Sequence, residues 1–185
     1  MEIIQGNNNI LSELIALANR VRDNLNKGEK PGDIENNLKE SGEYNNVTII
    51  SVVEKANITF NAKTQNGPNV GDVNSHRDSL IDPEGNNIGT MIGSGWKIAT
   101  LADDSVVSWY HETAETLRGN IEISGVWNSS AIWAGEWQSL FAAGVSGEVM
   151  GKIGVRQIFQ AIPREKYLTL IVLLPIDQIK SFSIN

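Results

Sequence analysis

From residue 47 to residue 175 the chain is a succession of strand-length runs rich in Val, Ile and Thr, separated by short turn signals and showing little helical period. This pattern constrains the fold more than any other feature. The expected strands are residues 47–54 (or on to 60), 73–81, 88–100, 105–114, 120–127, 132–141, 148–161 and 167–174. Pro83-Glu84-Gly85-Asn86, Asp103-Asp104 and Arg118-Gly119-Asn120 are tight turns, so neighbouring strands should pair antiparallel in a meander. Eleven of the 17 glycines lie between Gly85 and Gly154, several inside strands. Glycine there weakens a flat sheet but permits the bends by which a sheet closes on itself. The expected fold is therefore all-β, an eight-stranded antiparallel up-and-down barrel, whose interior holds either packed side chains or one small ligand.

The first 43 residues have a different texture. Leu11, Leu14, Ile15, Ala18, Val21 and Leu25 recur at spacings of three and four, which predicts an amphipathic helix over 10–25. Asn8 or Asn9 suits its start, and Gly28 suits a left-handed stop. After Pro31-Gly32-Asp33, Asp33 suits the cap of a short second helix carrying Ile34 and Leu38. The expected division is a helical extension over 1–43 and a barrel domain over 44–185. The run Leu168 to Leu174 is apolar at nearly every position, so both faces of the last strand should be covered. Either the N-terminal helix or a second subunit could supply that cover, and a homodimer is the expectation.

Composition excludes several function classes. A net charge of -7, from 15 basic and 22 acidic side chains, repels phosphate backbones and argues against nucleic acid as a partner. There is no cysteine, so disulfides, thiolate catalysis and cysteine metal clusters are excluded. The two histidines, His76 and His111, have no metal-binding spacing. Nucleotide-binding glycine loops and the GxSxG nucleophile elbow are absent, and Gly144-Val145-Ser146-Gly147 reads as a turn. With no basic, apolar leader and no membrane-length apolar run, a cytoplasmic protein with no membrane partner is expected.

Period two sorts the candidate side chains. Arg156, Ile158 and Gln160 share one face of their strand and Val155, Gln157 and Phe159 the other; Ser108, Tyr110 and Glu112 are likewise separated from Trp109, His111 and Thr113. Trp133 and Trp137 share strand parity as well. An inward Tyr110 would offer a neutral hydroxyl donor and an aromatic wall. Glu112 on the same face would be costly to bury unless paired, with Arg156 a possible partner.

These residues resemble a known family. Gly71-Asp72, Asp78-Ser79-Leu80, Asp82-Pro83-Glu84-Gly85 and Ile88-Gly89-Thr90 are similar to the strand-turn-strand signature of allene-oxide-cyclase-like barrels. Tyr110-His111-Glu112, Gly125, Trp137, Gly144-Val145-Ser146-Gly147 and Gly154-Val155-Arg156-Gln157 resemble the bacterial spirotetronate and spirotetramate cyclases, natural Diels-Alderases of the abyssomicin and pyrroindomycin type. The resemblance implies a usually dimeric barrel, working without cofactor or metal. Its reaction would be an intramolecular [4+2] cycloaddition joining a diene to an exocyclic methylene on a tetronate or tetramate ring of an apolar polyene.

The resemblance also implies site roles. Tyr110, Arg156 and Gln160 would donate hydrogen bonds to the ring carbonyls, and His76, Ser129, Leu140 and Ile158 would shape the substrate; Glu112 joins them as a substrate-binding candidate by its strand parity with Tyr110. The family's large aromatics are replaced by smaller or more polar residues at His76, Ser129, Leu140 and Ile158. The N-terminal helix resembles the lid of the pyrroindomycin type, which would bring Leu11 and Leu14 to the substrate across the barrel mouth; the alternative is a helix packed permanently on the exterior. The rival functions are another allene-oxide-cyclase-like isomerase or decalin-forming cyclase, and a lipocalin-like carrier.

Overall fold

The computed structural model describes residues 2–61 and 69–179, with side chains from Ile10 onward. Two helices, α1 (Glu2–Asn26) and α2 (Pro31–Glu40), precede the sheet. The strands are β1 (Thr48–Lys55), β2 (Ile58–Asn61), β3 (Val73–Ile81), β4 (Asn87–Thr100), β5 (Val106–Thr116), β6 (Gly119–Asn128), β7 (Gln138–Gly144), β8 (Lys152–Ile162) and β9 (Lys166–Pro175), with a short helix, α3 (Ser129–Trp133), between β6 and β7.

Every sequential pair from β3 to β9 is antiparallel, β9 pairs with β1, and β1 pairs back onto β3, so the sheet closes. Both β1 and β2 lie on the same edge of β3 in one continuous register, Lys55 opposite Ser79 and Ile58 opposite His76. They act as one strand interrupted at Ala56-Asn57, so the barrel is eight-stranded and up-and-down, as the strand pattern predicts. At the interruption Asn57 N–H donates to Asp78 Oδ1 (2.7 Å) and Ala56 N–H to the Glu165 carbonyl (2.9 Å), so the backbone stays satisfied.

The stretch expected as a strand over 132–141 differs. Asn128 Oδ1 accepts from Ala131 N–H (3.0 Å) and caps α3, and the strand starts only at Gln138. Trp133 and Trp137 therefore do not share strand parity. Nor do Asn8 or Asn9 cap the first helix, which continues back to Glu2. Gly28 does take the left-handed conformation, at φ +92°. Asp33 lies in the first turn of α2, which begins at Pro31, a residue whose missing N–H costs nothing there.

Two apolar cores result. One fills the lower barrel with Leu80, Met91, Ala114, Ile121, Val149 and Leu173 among others. The second lies outside, where Leu14, Leu17, Ala18 and Val21 of α1 and Ile34 and Leu38 of α2 cover Ile49, Val155, Leu170, Val172 and Leu174. This explains the unbroken apolar run of β9: its inward residues face the first core and its outward ones the helix, and no second subunit is needed there.

The same packing places the described side chains of α1 on the barrel exterior rather than across the mouth. The described side chains of α1 lie against the wall made by β8 and β9, and none lines the cavity described below. Burial of four apolar residues holds the helix on the exterior. Leu14→Ala should therefore cost about 2–4 kcal/mol of stability, measured by urea unfolding, with the turnover of the folded fraction unchanged. A large loss of turnover at unchanged stability would restore the lid.

Candidate active site

The site follows from side-chain alternation. On β5, Ser108, Tyr110 and Glu112 are buried while Trp109 and His111 are exposed; on β8, Arg156, Ile158 and Gln160 point inward and Val155 joins the outer core. Asn74, His76 and Asp78 are the buried polar residues of β3, on the same face as the core residue Leu80. On β4 the inward positions include Gly93 and Gly95 between Met91 and Lys97, and their lack of a side chain makes room. A Cβ on Gly95 would lie 2.4 Å from the Tyr110 ring, and one on Gly93 would lie 2.6 Å from the Glu112 side chain. Tyr110 thus lies flat across the sheet and its ring becomes wall rather than plug.

The interior above the apolar core is hollow, a cavity of about 500 Å³. Its apolar walls include Ile58, Phe60, Tyr110, Trp127, Ile132 and Ile158. Trp127 packs against Tyr110 with the rings tilted by 47° and their centroids 3.9 Å apart. At the mouth the Arg164 guanidinium lies 4.7 Å from the Phe60 ring and 5.3 Å from the Trp133 ring, bridging the end of β2 to α3.

The cavity floor is ionic. Arg156, fully buried, donates through Nη2 to both oxygens of Glu54 (2.7 and 2.8 Å) and through Nη1 to Glu112 Oε2 (2.5 Å). Thr169 Oγ1 donates to Glu54, and His76 Nε2 lies 3.2 Å from Glu112 Oε1. Burial works against the Glu112 charge, but the cations Arg156 and His76 outweigh it and hold its carboxyl below the usual range. Burial likewise opposes charge on His76, yet the hydrogen bond to Glu112 and the fields of Glu112 and Asp78 raise its pKa. Asp78 is pushed up, mainly by burial.

The polar groups above the floor are mostly neutral. Tyr110 Oη accepts from Asn74 Nδ2 (2.8 Å), which leaves its own proton to donate, and burial raises its pKa so that it stays protonated. Tyr167 Oη donates to Gln160 Oε1 (3.2 Å), which leaves the Gln160 amide N–H groups as donors; burial pushes Tyr167 up to about 12. Lys97 Nζ donates to Ser129 Oγ (3.0 Å), which in turn is hydrogen-bonded to Ser108. Burial lowers Lys97 to about 8.

Of the residues singled out in the sequence, Tyr110, Arg156, Gln160, His76, Glu112, Ser129 and Ile158 border one cavity. Leu140 does not; it is buried in the core against Gly125. Leu14 is buried under α1 on the exterior, and Leu11 is 42% exposed. Arg156 borders the cavity with both Nη atoms bonded to carboxylates, and its Nε is buried without a partner among the described residues.

Sequence reading missed Glu54, Asn74, Lys97, Trp127, Arg164 and Tyr167 as cavity residues. For most of them the signal was present: Glu54 shares parity with Ile50 and Val52, Asn74 with His76, and Lys97 with Gly93 and Gly95. Arg164 lies in a turn, where alternation says nothing. Among the described residues there is no cluster of three potential metal ligands and no helix long and apolar enough to cross a membrane.

Comparison with known proteins adds to this geometry. The family model for the allene oxide cyclase barrel like domain matches residues 52–173. No curated protein matches the chain. Among solved structures, one described as a nonspecific heme-binding cyclase that catalyses [4 + 2] cycloaddition during neoabyssomicin biosynthesis is 25% identical, with 75% of this chain and 71% of that one covered and a TM-score of 0.68. The Diels-Alderase AbmU from Streptomyces koyangensis is 22% identical, covering 74% of this chain and 68% of its own at a TM-score of 0.64. AbnU, described as an exo-specific intermolecular Diels-Alderase, is 23% identical, covering 68% and 98% at a TM-score of 0.60. At their identities the last two speak for the fold alone.

Proposed function

This chain belongs to the allene oxide cyclase barrel-like family, and from that premise we propose that it is a cyclase that folds a linear polyene carrying a tetramate or tetronate head and closes a spiro-linked cyclohexene by intramolecular [4+2] cycloaddition, without a cofactor. The observation that carries this reading is the hollow itself: an interior of about 500 Å³ with aromatic and aliphatic walls over an ionic floor, and with the Tyr110 hydroxyl and the Gln160 amide as neutral donors. Its volume falls in the range of small-molecule sites, roughly 300–1,000 Å³. The solved cyclase at 25% identity, which is described as catalysing a [4 + 2] cycloaddition, supports the same chemistry.

A pericyclic step needs no nucleophile, general base or metal. It needs diene and dienophile ends held about 3–3.5 Å apart with aligned orbitals. Shape complementarity supplies this by excluding the many extended conformers of the free polyene. Tyr110 Oη and the Gln160 amide then donate to the head-group carbonyls, withdrawing electron density from the dienophile as charge shifts to oxygen. Apolar walls keep the local dielectric low and strengthen those bonds. Arg156 acts as a positioning residue, fixing Glu112 and Glu54 so that the floor under the substrate is rigid.

Tyr110→Phe tests the donor. It keeps the wall and removes the hydroxyl, so kcat for the linear polyene should fall by about tenfold, the worth of one hydrogen bond, with little change in melting temperature. An unchanged kcat would remove Tyr110 from the chemistry. Tight binding of the polyene by the wild-type chain with no product formed would instead favour a lipocalin-like carrier.

A further inference from the structure

Three Lys or Arg side chains border the cavity, and they differ in what already neutralises them. Arg156 is locked between Glu54 and Glu112. Arg164 is held over the rings of Phe60 and Trp133 at the mouth. Lys97 has no carboxylate within ion-pair distance among the described residues; its ammonium bonds the Ser129 hydroxyl and lies 5.6 Å from the Tyr110 ring centroid. Its place is fixed by the backbone on both sides, since Lys97 N–H donates to the Asp72 carbonyl (2.9 Å) and its own carbonyl accepts from Gly71 N–H (2.7 Å). A largely desolvated cation that has one hydroxyl partner among the described residues and only the field of Asp72 in its favour is incompletely compensated, and an anionic ligand would complete it.

We propose that Lys97, with the Ser129 hydroxyl beside it, is the anion-recognition site of the cavity, and that it selects substrates whose head is an ionised β-dicarbonyl, seating the enolate oxygens between β4 and the start of α3. Acyl tetramic and tetronic acids are of this class, because the negative charge of the enolate is spread over the dicarbonyl oxygens. The choice of substrate class rests on the cyclisation reading above. Tyr110 and Gln160 then face the carbonyls that Lys97 does not hold, and the polyene arm lies against Trp127, Ile132 and Ile158.

The titratable groups facing Lys97 are Asp72 in the turn before β3, whose field favours the ammonium, and Tyr110 on β5, which stays neutral; Ser108 and Ser129 do not titrate. The free-state lysine titrates near pH 8, so affinity for the anion should be flat below that value and weaken above it.

The test is calorimetric titration of the full-length chain with an acyl tetramic acid and with its O-methyl enol ether, which has the same shape and no charge. The wild-type chain should prefer the acid, and the preference should fade above about pH 8. Lys97→Met should weaken acid binding by about ten- to a hundredfold, the worth of a charged hydrogen bond, and leave the ether unchanged. Lys97→Arg should restore most of the preference. Equal wild-type affinity for acid and ether, or an undiminished preference in Lys97→Met, would overturn the proposal; the pH series on the wild-type chain decides it should the variant fail to fold. Turnover of a linear polyene measured in parallel separates the two readings. Cyclisation without anion preference overturns the role of Lys97 alone, whereas preference without cyclisation overturns the cyclase.

Discussion

Arg156→Ala is expected to destabilise the fold by about 3–5 kcal/mol, because it leaves buried carboxylates without their cation. Glu54 and Glu112 are 1% and 2% exposed, and three of the bonds that satisfy them come from this one guanidinium. Their remaining partners, Thr169 and His76, carry one hydroxyl and one titratable ring. The loss should shrink as pH falls. Arg156 is the chief cation that holds Glu112 in its charged form, so the stability linked to that carboxylate is present above its unfolded pKa and lost as pH drops through its lowered folded value; in the variant Glu112 takes up a proton instead. Urea unfolding at several pH values measures both effects. Arg156→Met combined with Glu54→Gln and Glu112→Gln should recover most of the stability, since a neutral floor has no charge to compensate. Full stability in Arg156→Ala alone would show that water reaches the floor and that it is not the rigid base described here.

The second large effect is on activity with the fold preserved. Ile58 lines the cavity and is partly exposed, so Ile58→Trp can extend into the open space of the hollow. Filling that space excludes the folded polyene, and turnover should drop by at least about a hundredfold, the order of effect seen when reacting groups are misplaced by an ångström. The melting temperature should stay within a few degrees of wild type, because no buried contact is lost. Measured turnover and thermal unfolding on the same preparation check both halves. Unimpaired turnover in a folded Ile58→Trp would place the reaction outside this hollow.

Much of the barrel was legible in the sequence because alternation is a local property. On β5 and β8 it separates Tyr110 from Trp109 and Arg156 from Val155, and it brings Glu112 and Arg156 to the same interior. Local patterns failed where the outcome depended on partners distant in the chain. The helical period of α1 is plain, but whether it covers the mouth or the wall depends on the outward residues of β8 and β9, more than a hundred positions away. The strand expected through Ile132 and Trp133 yielded to a single cap from Asn128, which is worth only about 1 kcal/mol and leaves no periodic trace. Arg156 carried the right residue type and the right face for a donor. Its commitment to Glu54, 102 positions away, is invisible until the barrel closes.

On the proposed function, a mostly apolar barrel interior accelerates ring closure by conformational restriction. The most direct measurement of this is the rate at which a linear polyene tetramate or tetronate becomes the spiro-cyclohexene, with the wild-type chain, with Ile58→Trp and with buffer alone. The account predicts rapid, stereochemically uniform closure with the wild-type chain and slow closure under the other two conditions. Equal rates under all three would contradict it.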